Sequence, residues 1–280
     1  MSLHVRRPGP LTTVQDRGRP GLAHLGVPRA GPLDRPAADL ANRLLGNDPA
    51  AAVLEVTLGG LELTSDRAVW VAVTGAPAPL SIDDTVRRHA HAEWLPAGGT
   101  LRVGTPRTGV RSYLAVAGGL DVAPVLGSRS TDTLAWVGPP PVVAGVELAV
   151  GGSAGRPTPH DTPRPPVPGP LRVHPGPRAD WFAAGALDTL CATTYAVGAA
   201  SNRIGLRLEG PPLERQRSGE LASEGMVVGA VQVPPDGRPV VFLADHPPTG
   251  GYPVLAVVED ADLWQCAQLR PGEPVRFTRA

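Results

Sequence analysis

The sequence contains no lysine, and all 26 of its basic residues are arginine. A chain without lysine has no side chain that could form a Schiff base or act as the phosphate-binding lysine of a Walker motif. It also has no lysine to which biotin or lipoate could be attached. Any covalently carried cofactor must therefore arrive on another chain.

Cysteine is scarce, since the sequence has only Cys191 and Cys266, and their spacing matches no metal-binding motif. Two isolated thiols are typical of a reducing cytosol, although spacing alone leaves a disulfide open. The amino-terminal segment lacks the apolar core of a signal peptide, and no apolar run reaches the roughly 18 residues of a membrane span. We therefore expect a cytoplasmic protein with no membrane partner and no resident metal.

Neither sign of charge is in excess, because 26 acidic residues balance the 26 basic ones. Nucleic-acid binding requires a concentrated positive field, so no nucleic-acid partner is predicted. Aromatic residues make up only 4% of the chain, which leaves mainly Val, Leu and Ala to fill the core.

Glycine and proline are abundant instead, with 34 residues of each spread between short apolar runs. Many short strands separated by tight turns favour a mainly β, barrel-like architecture over a doubly wound sheet. The predicted strands are 3–5, 11–14, 53–58, 61–63, 69–73, 100–103, 113–116, 146–150, 171–173, 195–197, 204–208, 227–233, 240–243, 254–258 and 275–277.

A few short helices are predicted among these strands. Asp34 has the features of an N-cap, and the apolar positions that follow it continue to Gly46. Further helices are predicted at 177–191 and 261–269. Gly59 and Gly60 separate two apolar runs in a pattern typical of a β-hairpin.

Proline density predicts the domain boundary. Residues 153–170 are so rich in proline that they favour extended, solvated chain. We therefore expect an amino-terminal β lobe over 1–152, a linker over 153–170 and a carboxyl-terminal β lobe over 171–280.

One predicted strand carries charged residues at alternating positions. Arg203, Arg207 and Glu209 are four and two residues apart, so on a strand they would share a face. Two interpretations stay open: an ion ladder on the surface, or a clamp for a carboxylate or another anion, which guanidinium groups bind in a two-point manner.

The segment 218–253 combines buried strands with polar turns. Glu224 directly precedes a predicted strand, where burial could make it a general base, and Asp245 follows another. Thr249-Gly250-Gly251-Tyr252 offers hydroxyl groups and a backbone that a ligand can approach closely. Asp236 is typical of a hairpin turn. We interpret this segment as a small-molecule site.

These motifs occur in the order of a known family. The chain resembles the family of 5-oxoprolinase C subunits, also called the KipA, allophanate hydrolase subunit 2 or biotin-dependent carboxyltransferase family. The resemblance runs from about Gln15 to Phe277 and is carried by QDRGRPG, GVPRAGPLD with the helix to NRLLGND, LEVTLGG, NRIGLRLEG, SEGMVVGAVQVPPDG, TGGYP and ADLWQCAQLRPGEPVRF. It implies a cyclophilin-like β-barrel architecture in two lobes and a cytoplasmic complex with a KipI-type B subunit.

The resemblance implies three alternative functions. The first is the C subunit of an ATP-dependent 5-oxoprolinase, in which the B–C pair phosphorylates the lactam oxygen with ATP and Mg²⁺ and the A subunit completes the hydrolysis to glutamate. The second is the carboxyltransferase of a urea carboxylase and allophanate hydrolase system, with biotin carried on another chain. The third is a non-catalytic regulator that binds a KipI-type kinase inhibitor. A free-standing chain without lysine favours the first.

The resemblance and the side-chain chemistry together predict the roles of the site residues. Arg203 and Arg207 would hold a carboxylate or phosphate, and Glu224 or Asp245 would handle a proton or orient Mg²⁺. The remaining predicted substrate-binding residues are Thr249, Gly250, Gly251 and Tyr252, with Gln15, Asp16 and Arg17 from the other lobe. Pro247 and Pro248 stand where relatives often have a glutamine and a threonine.

Overall fold

The computed structural model describes residues 1–152, 155, 157, 166–217, 219 and 221–280. Most of the predicted linker at 153–170 lies outside these residues. Strands account for 35% of the chain and helices for 12%, so the prediction of a mainly β fold is confirmed. Within the described ranges, no helix is both long enough and apolar enough to cross a bilayer.

Contacts divide the chain into two compact units. Unit 1 comprises Met1–Arg19, Ala30–Asp132 and Trp136–Pro165. Unit 2 comprises Pro20–Arg29, Thr133–Ala135 and Pro166–Ala280. Two short segments of the first half of the sequence are therefore built into the second unit.

Two antiparallel sheets form unit 1. In the described residues, one sheet has the strand order β11-β1-β4-β9-β6-β7 and the other the order β2-β3-β10-β5-β8. The elements are β1 (Ser2–Pro8), β2 (Leu11–Gln15), α1 (Arg35–Leu45), β3 (Val53–Thr57), β4 (Leu61–Ser65), β5 (Val69–Gly75), β6 (Leu80–Ile82), β7 (Thr85–Arg87), β8 (Ala92–Leu95), β9 (Thr100–Val103), β10 (Arg111–Val116) and β11 (Glu147–Ala149).

Helix α1 has the boundaries that its capping residues predict. The Asp34 carboxylate accepts a hydrogen bond from the Ala37 backbone N–H at 3.0 Å, which satisfies a donor at the start of the helix. Gly46 ends the helix in the left-handed conformation, at φ 68°. Its apolar face packs on β5 and β10. The predicted helix is confirmed.

The predicted hairpin around Gly59 and Gly60 is wrong. Strand β3 pairs with β2 and β10, whereas β4 pairs with β1 and β9, so the two strands lie in different sheets. Both glycines have positive φ, 71° and 80°, and the chain crosses here from one sheet to the other. A Cβ on Gly59 would lie 2.0 Å from the carbonyl oxygen of Gly104, so the crossing leaves no room for a side chain.

The strands of both sheets contribute to one buried core in unit 1. Leu3 and Leu63 from the first sheet pack in the same cluster as Leu54 and Leu114 from the second. Because each sheet buries one face against the other, the hydrophobic effect stabilises the two sheets together.

A closed barrel with the strand order β12-β19-β16-β17-β14-β13-β20 forms the centre of unit 2. The elements are β12 (Leu171–Pro175), α2 (Ala186–Ala192), β13 (Thr194–Val197), β14 (Gly205–Glu209), β15 (Glu224–Gly225), β16 (Ala230–Gln232), β17 (Val240–Phe242), β18 (Thr249–Gly250), β19 (Val254–Val258), α3 (Leu263–Cys266) and β20 (Pro274–Arg279). Strand β20 closes the barrel by pairing in parallel with β12.

Three predicted elements of unit 2 are shorter or interrupted. The helix predicted at 177–191 is instead a 3-10 turn at Ala179–Trp181 followed by α2, because the chain is extended at Phe182 and left-handed at Gly185, with φ 82°. The strand predicted at 227–233 is limited to β16. The helix predicted at 261–269 is limited to a 3-10 turn at Asp260–Asp262 followed by α3.

The register of the barrel strands identifies the outer face of the barrel. Exposed Arg207 of β14 lies directly opposite Val240, and Val240 lies opposite Gln232. Residues directly opposite each other on paired strands share a face. Gln232, Val240 and Phe242 therefore belong to the outer face, whereas Leu206 and Val241 point into the barrel.

Candidate functional site

A two-stranded ribbon brings together residues that are far apart in the sequence. Strand β15 pairs antiparallel with β18, so that Glu224 lies opposite Gly250 and Gly225 lies opposite Thr249. The Met226 backbone N–H donates to the Pro248 carbonyl at 2.8 Å and extends this pairing. Three predicted site residues, Glu224, Thr249 and Gly250, are therefore neighbours.

Gly250 lets this ribbon rest closely on the outer face of the barrel. A Cβ on Gly250 would lie 2.8 Å from Nε2 of Gln232 and 3.3 Å from Cε of Met226. The same Gln232 Nε2 donates to the Tyr252 carbonyl at 3.2 Å. The two contacts fix the segment from Gly250 to Tyr252 over β16.

Glu224 forms an ion pair with Arg178, a residue that the sequence did not indicate. Nε of Arg178 donates to Oε2 of Glu224 at 3.0 Å, and Nη2 donates to Oε1. Both side chains are partly exposed, so a ligand can reach the pair. A proton-accepting role for Glu224 requires Arg178 to release at least one of these oxygens.

Arg203 binds a carboxylate, but that carboxylate belongs to Asp245. Nε of Arg203 donates to Oδ2 of Asp245 at 2.8 Å, and Nη2 donates to Oδ1 at 2.9 Å. The two side chains are 2% and 0% exposed. The Thr133 backbone N–H and hydroxyl also donate to Oδ2, at 2.9 and 2.8 Å. The geometry is that of an internal scaffold beneath the segment carrying β18.

The prediction that Arg203 and Arg207 share a face is wrong. The strand begins at Gly205, so Arg203 precedes it and does not follow its alternation. Arg203 is buried, whereas Arg207 and Glu209 are exposed on β14. The three residues therefore form neither a continuous ion ladder nor a joint clamp.

His246 is a candidate site residue that sequence reasoning missed. Its ring stacks on Phe242, with centroids 5.6 Å apart and planes 11° from parallel. Nδ1 lies 2.8 Å from the Pro247 carbonyl oxygen, which can only accept, so Nδ1 carries the proton. Burial lowers the pKa of His246, which favours the neutral ring with Nε2 as an acceptor. The available signal was its place directly after Asp245 in the predicted strand-to-turn segment.

Tyr252 and Arg215 lie side by side at the end of the ribbon. Tyr252 is 41% exposed, and the guanidinium carbon of Arg215 lies 5.8 Å from the centre of its ring. This distance is within the range of a cation–π contact. Arg215 was not predicted, because nothing in the sequence links it to Tyr252.

The predicted residues Gln15, Asp16 and Arg17 belong to unit 1. Both carboxylate oxygens of Asp16 accept hydrogen bonds from the segment 128–130, including the Ser130 hydroxyl at 2.7 Å and the Arg129 backbone N–H at 2.6 Å. Gln15 is buried, and its amide donates to the Thr131 carbonyl at 3.0 Å. Arg17 is exposed. These contacts hold a loop in place, and a part in substrate binding stays a prediction.

The described residues do not fit a magnesium ion. In the described ranges, no group of three or more His, Cys, Asp or Glu side chains is placed to hold a metal. The two carboxylates predicted to orient Mg²⁺ are paired instead, Glu224 with Arg178 and Asp245 with Arg203. We therefore assign no metal contact to Glu224 or Asp245.

Residues 25–279 match a family model described as carboxyltransferase domain, subdomain A and B. The chain is 38% identical over 295 residues to the C subunit of the 5-oxoprolinase of Escherichia coli (strain K12), covering 99% of this chain and 91% of that protein. It is also 32% identical over 308 residues to the urea amidolyase of Saccharomyces cerevisiae, covering 99% of this chain but 16% of the yeast protein.

Solved structures show the same similarity. The crystal structure of TTHA0988 matches 99% of this chain with a TM-score of 0.90 and 41% sequence identity. The chain spans 55% of the length of that protein. The K. lactis urea amidolyase matches with a TM-score of 0.89 and 30% identity, and this chain spans 18% of it.

Proposed function

Because the chain belongs to the carboxyltransferase family of subdomains A and B, we propose that it is the C subunit of an ATP-dependent 5-oxoprolinase. The observation that carries this proposal is the degree of sequence identity. Over 99% of its length, the chain is 38% identical to a 5-oxoprolinase C subunit and 32% identical to a urea amidolyase. The higher identity favours the C subunit.

In this proposal the chain acts in a cytoplasmic complex with a KipI-type B subunit and with the A subunit. The complex opens 5-oxoproline to glutamate in a reaction driven by ATP. The ion pairs of Glu224 and Asp245 support placing the nucleotide and its Mg²⁺ on residues of the other subunits. The isolated chain is expected to be inactive.

The ribbon and its neighbours supply the chemistry that binding of a small lactam requires. A lactam ring carries an N–H that needs an acceptor and a carbonyl oxygen that needs a donor. Nε2 of neutral His246 is the acceptor that we propose, and the exposed hydroxyl of Thr249 is the donor. Glu224, after release from Arg178, is the proton acceptor. The buried pair of Arg203 and Asp245 positions this segment.

The test is ATP-dependent glutamate formation from 5-oxoproline by the chain co-expressed with its A and B partners. Glu224→Gln and Thr249→Val should each lower kcat/KM at least about tenfold, since positioned acid–base and hydrogen-bonding groups contribute on that order or more. Glu209→Gln, an exposed carboxylate on the same barrel, is the matched control. Unchanged activity in both site variants would remove the catalytic interpretation, and partner binding without turnover would favour a regulator.

A second candidate function is carboxyl transfer from carboxybiotin to urea. The family model and the similarity to a K. lactis urea amidolyase favour it. Because this chain has no lysine, the biotin would be attached to another protein. A requirement for biotin with urea as the acceptor, abolished by avidin, would select this function over the first.

A further inference from the structure

The guanidinium groups around the ribbon differ in how they are neutralised. Arg178 is paired with Glu224, and Arg203 is paired with Asp245. Arg215 forms no ion pair with any described residue, and its Nε is buried without a hydrogen-bond partner among them. Asp236 interacts with Arg215 electrostatically, but the Asp236 carboxylate accepts from the Arg238 backbone N–H within its own turn.

Arg215 is also held in place before any ligand binds. Its Nη2 donates to the Val233 carbonyl, and its backbone bridges to Phe182. On either side, the Leu213 N–H donates to Gly237 at 2.9 Å and the Gln216 N–H donates to Trp181 at 2.9 Å. A guanidinium whose position is fixed in advance loses little entropy when it binds an anion.

Within the part of the chain that the structure describes, Arg207 also forms no ion pair, but its surroundings differ from those of Arg215. It is exposed on β14, where water solvates it, whereas Arg215 is half-buried beside the ring of Tyr252. An ion-pairing contact is stronger where water is partly excluded. The cation better placed to bind an anion against a flat ring is therefore Arg215.

We infer that Arg215 binds the carboxylate of the substrate while the ring of the substrate lies against Tyr252. This inference rests on the proposed function, because 5-oxoproline carries one carboxylate on a small ring. The guanidinium donates to the carboxylate oxygens, and the exposed face of Tyr252 contacts the ring. Arg215 would thereby distinguish cyclic amino acids from uncharged amides.

The test compares Arg215→Gln with Arg217→Gln in the complete complex. Arg217 is two residues away and pairs with Asp180 at the surface, so its replacement is the matched control. Arg215→Gln should raise the KM for 5-oxoproline at least about tenfold and leave kcat nearly unchanged. The loss of hydrogen bonds to a charged group lowers binding affinity by about this factor. The affinity for 2-pyrrolidinone, which lacks the carboxylate and is measured as a competitor, should stay the same. Arg215→Lys should recover part of the loss.

The outcomes separate this inference from the proposed function. If the wild-type complex is active, the inference alone is overturned when Arg215→Gln leaves the KM for 5-oxoproline unchanged. It is also overturned when Arg207→Gln raises this KM and Arg215→Gln does not. Equal losses of affinity for both compounds indicate a structural role and also overturn it. If the wild-type complex has no turnover, the proposed function is overturned, and calorimetric titration with 5-oxoproline then tests the role of Arg215. Binding by the wild type that is lost only in Arg215→Gln supports the inference. Absence of binding by the wild type refutes it.

Discussion

Arg203 and Asp245 share two hydrogen bonds, at 2.8 and 2.9 Å, in a place where water reaches neither side chain. Removing one member of such a pair leaves a buried charge without compensation. The pair therefore determines whether the segment that follows it, from His246 to Tyr252, is correctly placed.

Asp245→Asn should lower the free energy of unfolding by about 3–5 kcal/mol, because buried Arg203 would lose the carboxylate that accepts from its Nε and Nη2. Chemical denaturation of the wild-type and variant chains measures this difference. Asp188→Asn, which breaks the exposed pair with Arg279, is the control and should have a much smaller effect. The double variant Arg203→Met, Asp245→Leu should be closer to wild type than Asp245→Asn is; a double variant less stable than the single one would contradict this account.

Gly250→Ala should reduce activity of the complex, because its Cβ would lie 2.8 Å from Nε2 of Gln232 and displace the ribbon. Overpacking of this kind costs about 1–3 kcal/mol, part of which the Gln232 side chain can relieve by moving. Gly225→Ala is the matched control on the facing strand, since its Cβ would meet nothing within 4 Å. Kinetic constants and melting temperatures of the two variants provide the comparison. Similar activity in both would show that the close approach at Gly250 is unimportant.

Gly59→Ala should prevent unit 1 from folding normally. Gly59 and Gly98 have nearly the same φ, 71° and 73°, so alanine is strained by about 1–2 kcal/mol at either position. Only at Gly59 would the Cβ also meet the backbone, 2.0 Å from the Gly104 carbonyl oxygen. We expect Gly98→Ala to fold with a modest loss in melting temperature and Gly59→Ala to be largely insoluble. Equal effects of the two substitutions would mean that backbone strain, rather than the clash with the Gly104 carbonyl oxygen, determines the loss of stability.

The chain should lose stability as the pH falls below about 6.5, the unperturbed histidine pKa. Burial lowers the pKa of His246, and burial also lowers that of His89. The unfolded chain therefore binds protons at a higher pH than the folded chain does. The contribution of the two neutral histidines to the free energy of unfolding is fully present above a pH of about 6.5. It is lost as the pH falls through their depressed pKa values.

Denaturation of the wild-type chain and of His246→Gln between about pH 7.5 and pH 5 measures this dependence. His246→Gln should reduce the slope of stability against pH, in addition to a constant loss from the missing stack on Phe242. His24→Gln is the control, because His24 is exposed. An identical slope in wild type and His246→Gln would contradict the prediction.

The parts of the fold that local sequence determines were predictable. Asp34 and Gly46 set the ends of α1 because caps act on neighbouring backbone groups. The pairing around Gly59 was not predictable, because strand partners are chosen by contacts remote in sequence. Arg203 was wrongly assigned to the same strand face as Arg207 for a related reason. Whether the strand begins at Arg203 or at Gly205 depends on its pairing with β17.

The candidate site was predicted in the same uneven way. The turn chemistry of Thr249 to Tyr252 and the position of Glu224 before a strand were visible in the sequence, and the ribbon brings them together. Their partners Arg178 and Arg215 were not visible, since an ion pair or a ring contact across 37 or more residues leaves no periodic pattern. The cyclophilin-like character of the barrel stays a prediction.

The position of β20 between β12 and β13 affects how unit 2 is produced in the cell. Leu171 pairs with Phe277, so the barrel cannot close until the last strand has left the ribosome. Until then β12 and β13 both have an unpaired edge, and edges of this kind attract other chains. Nascent unit 2 therefore exposes two open strand edges, and with them a risk of aggregation, until β20 has been synthesised.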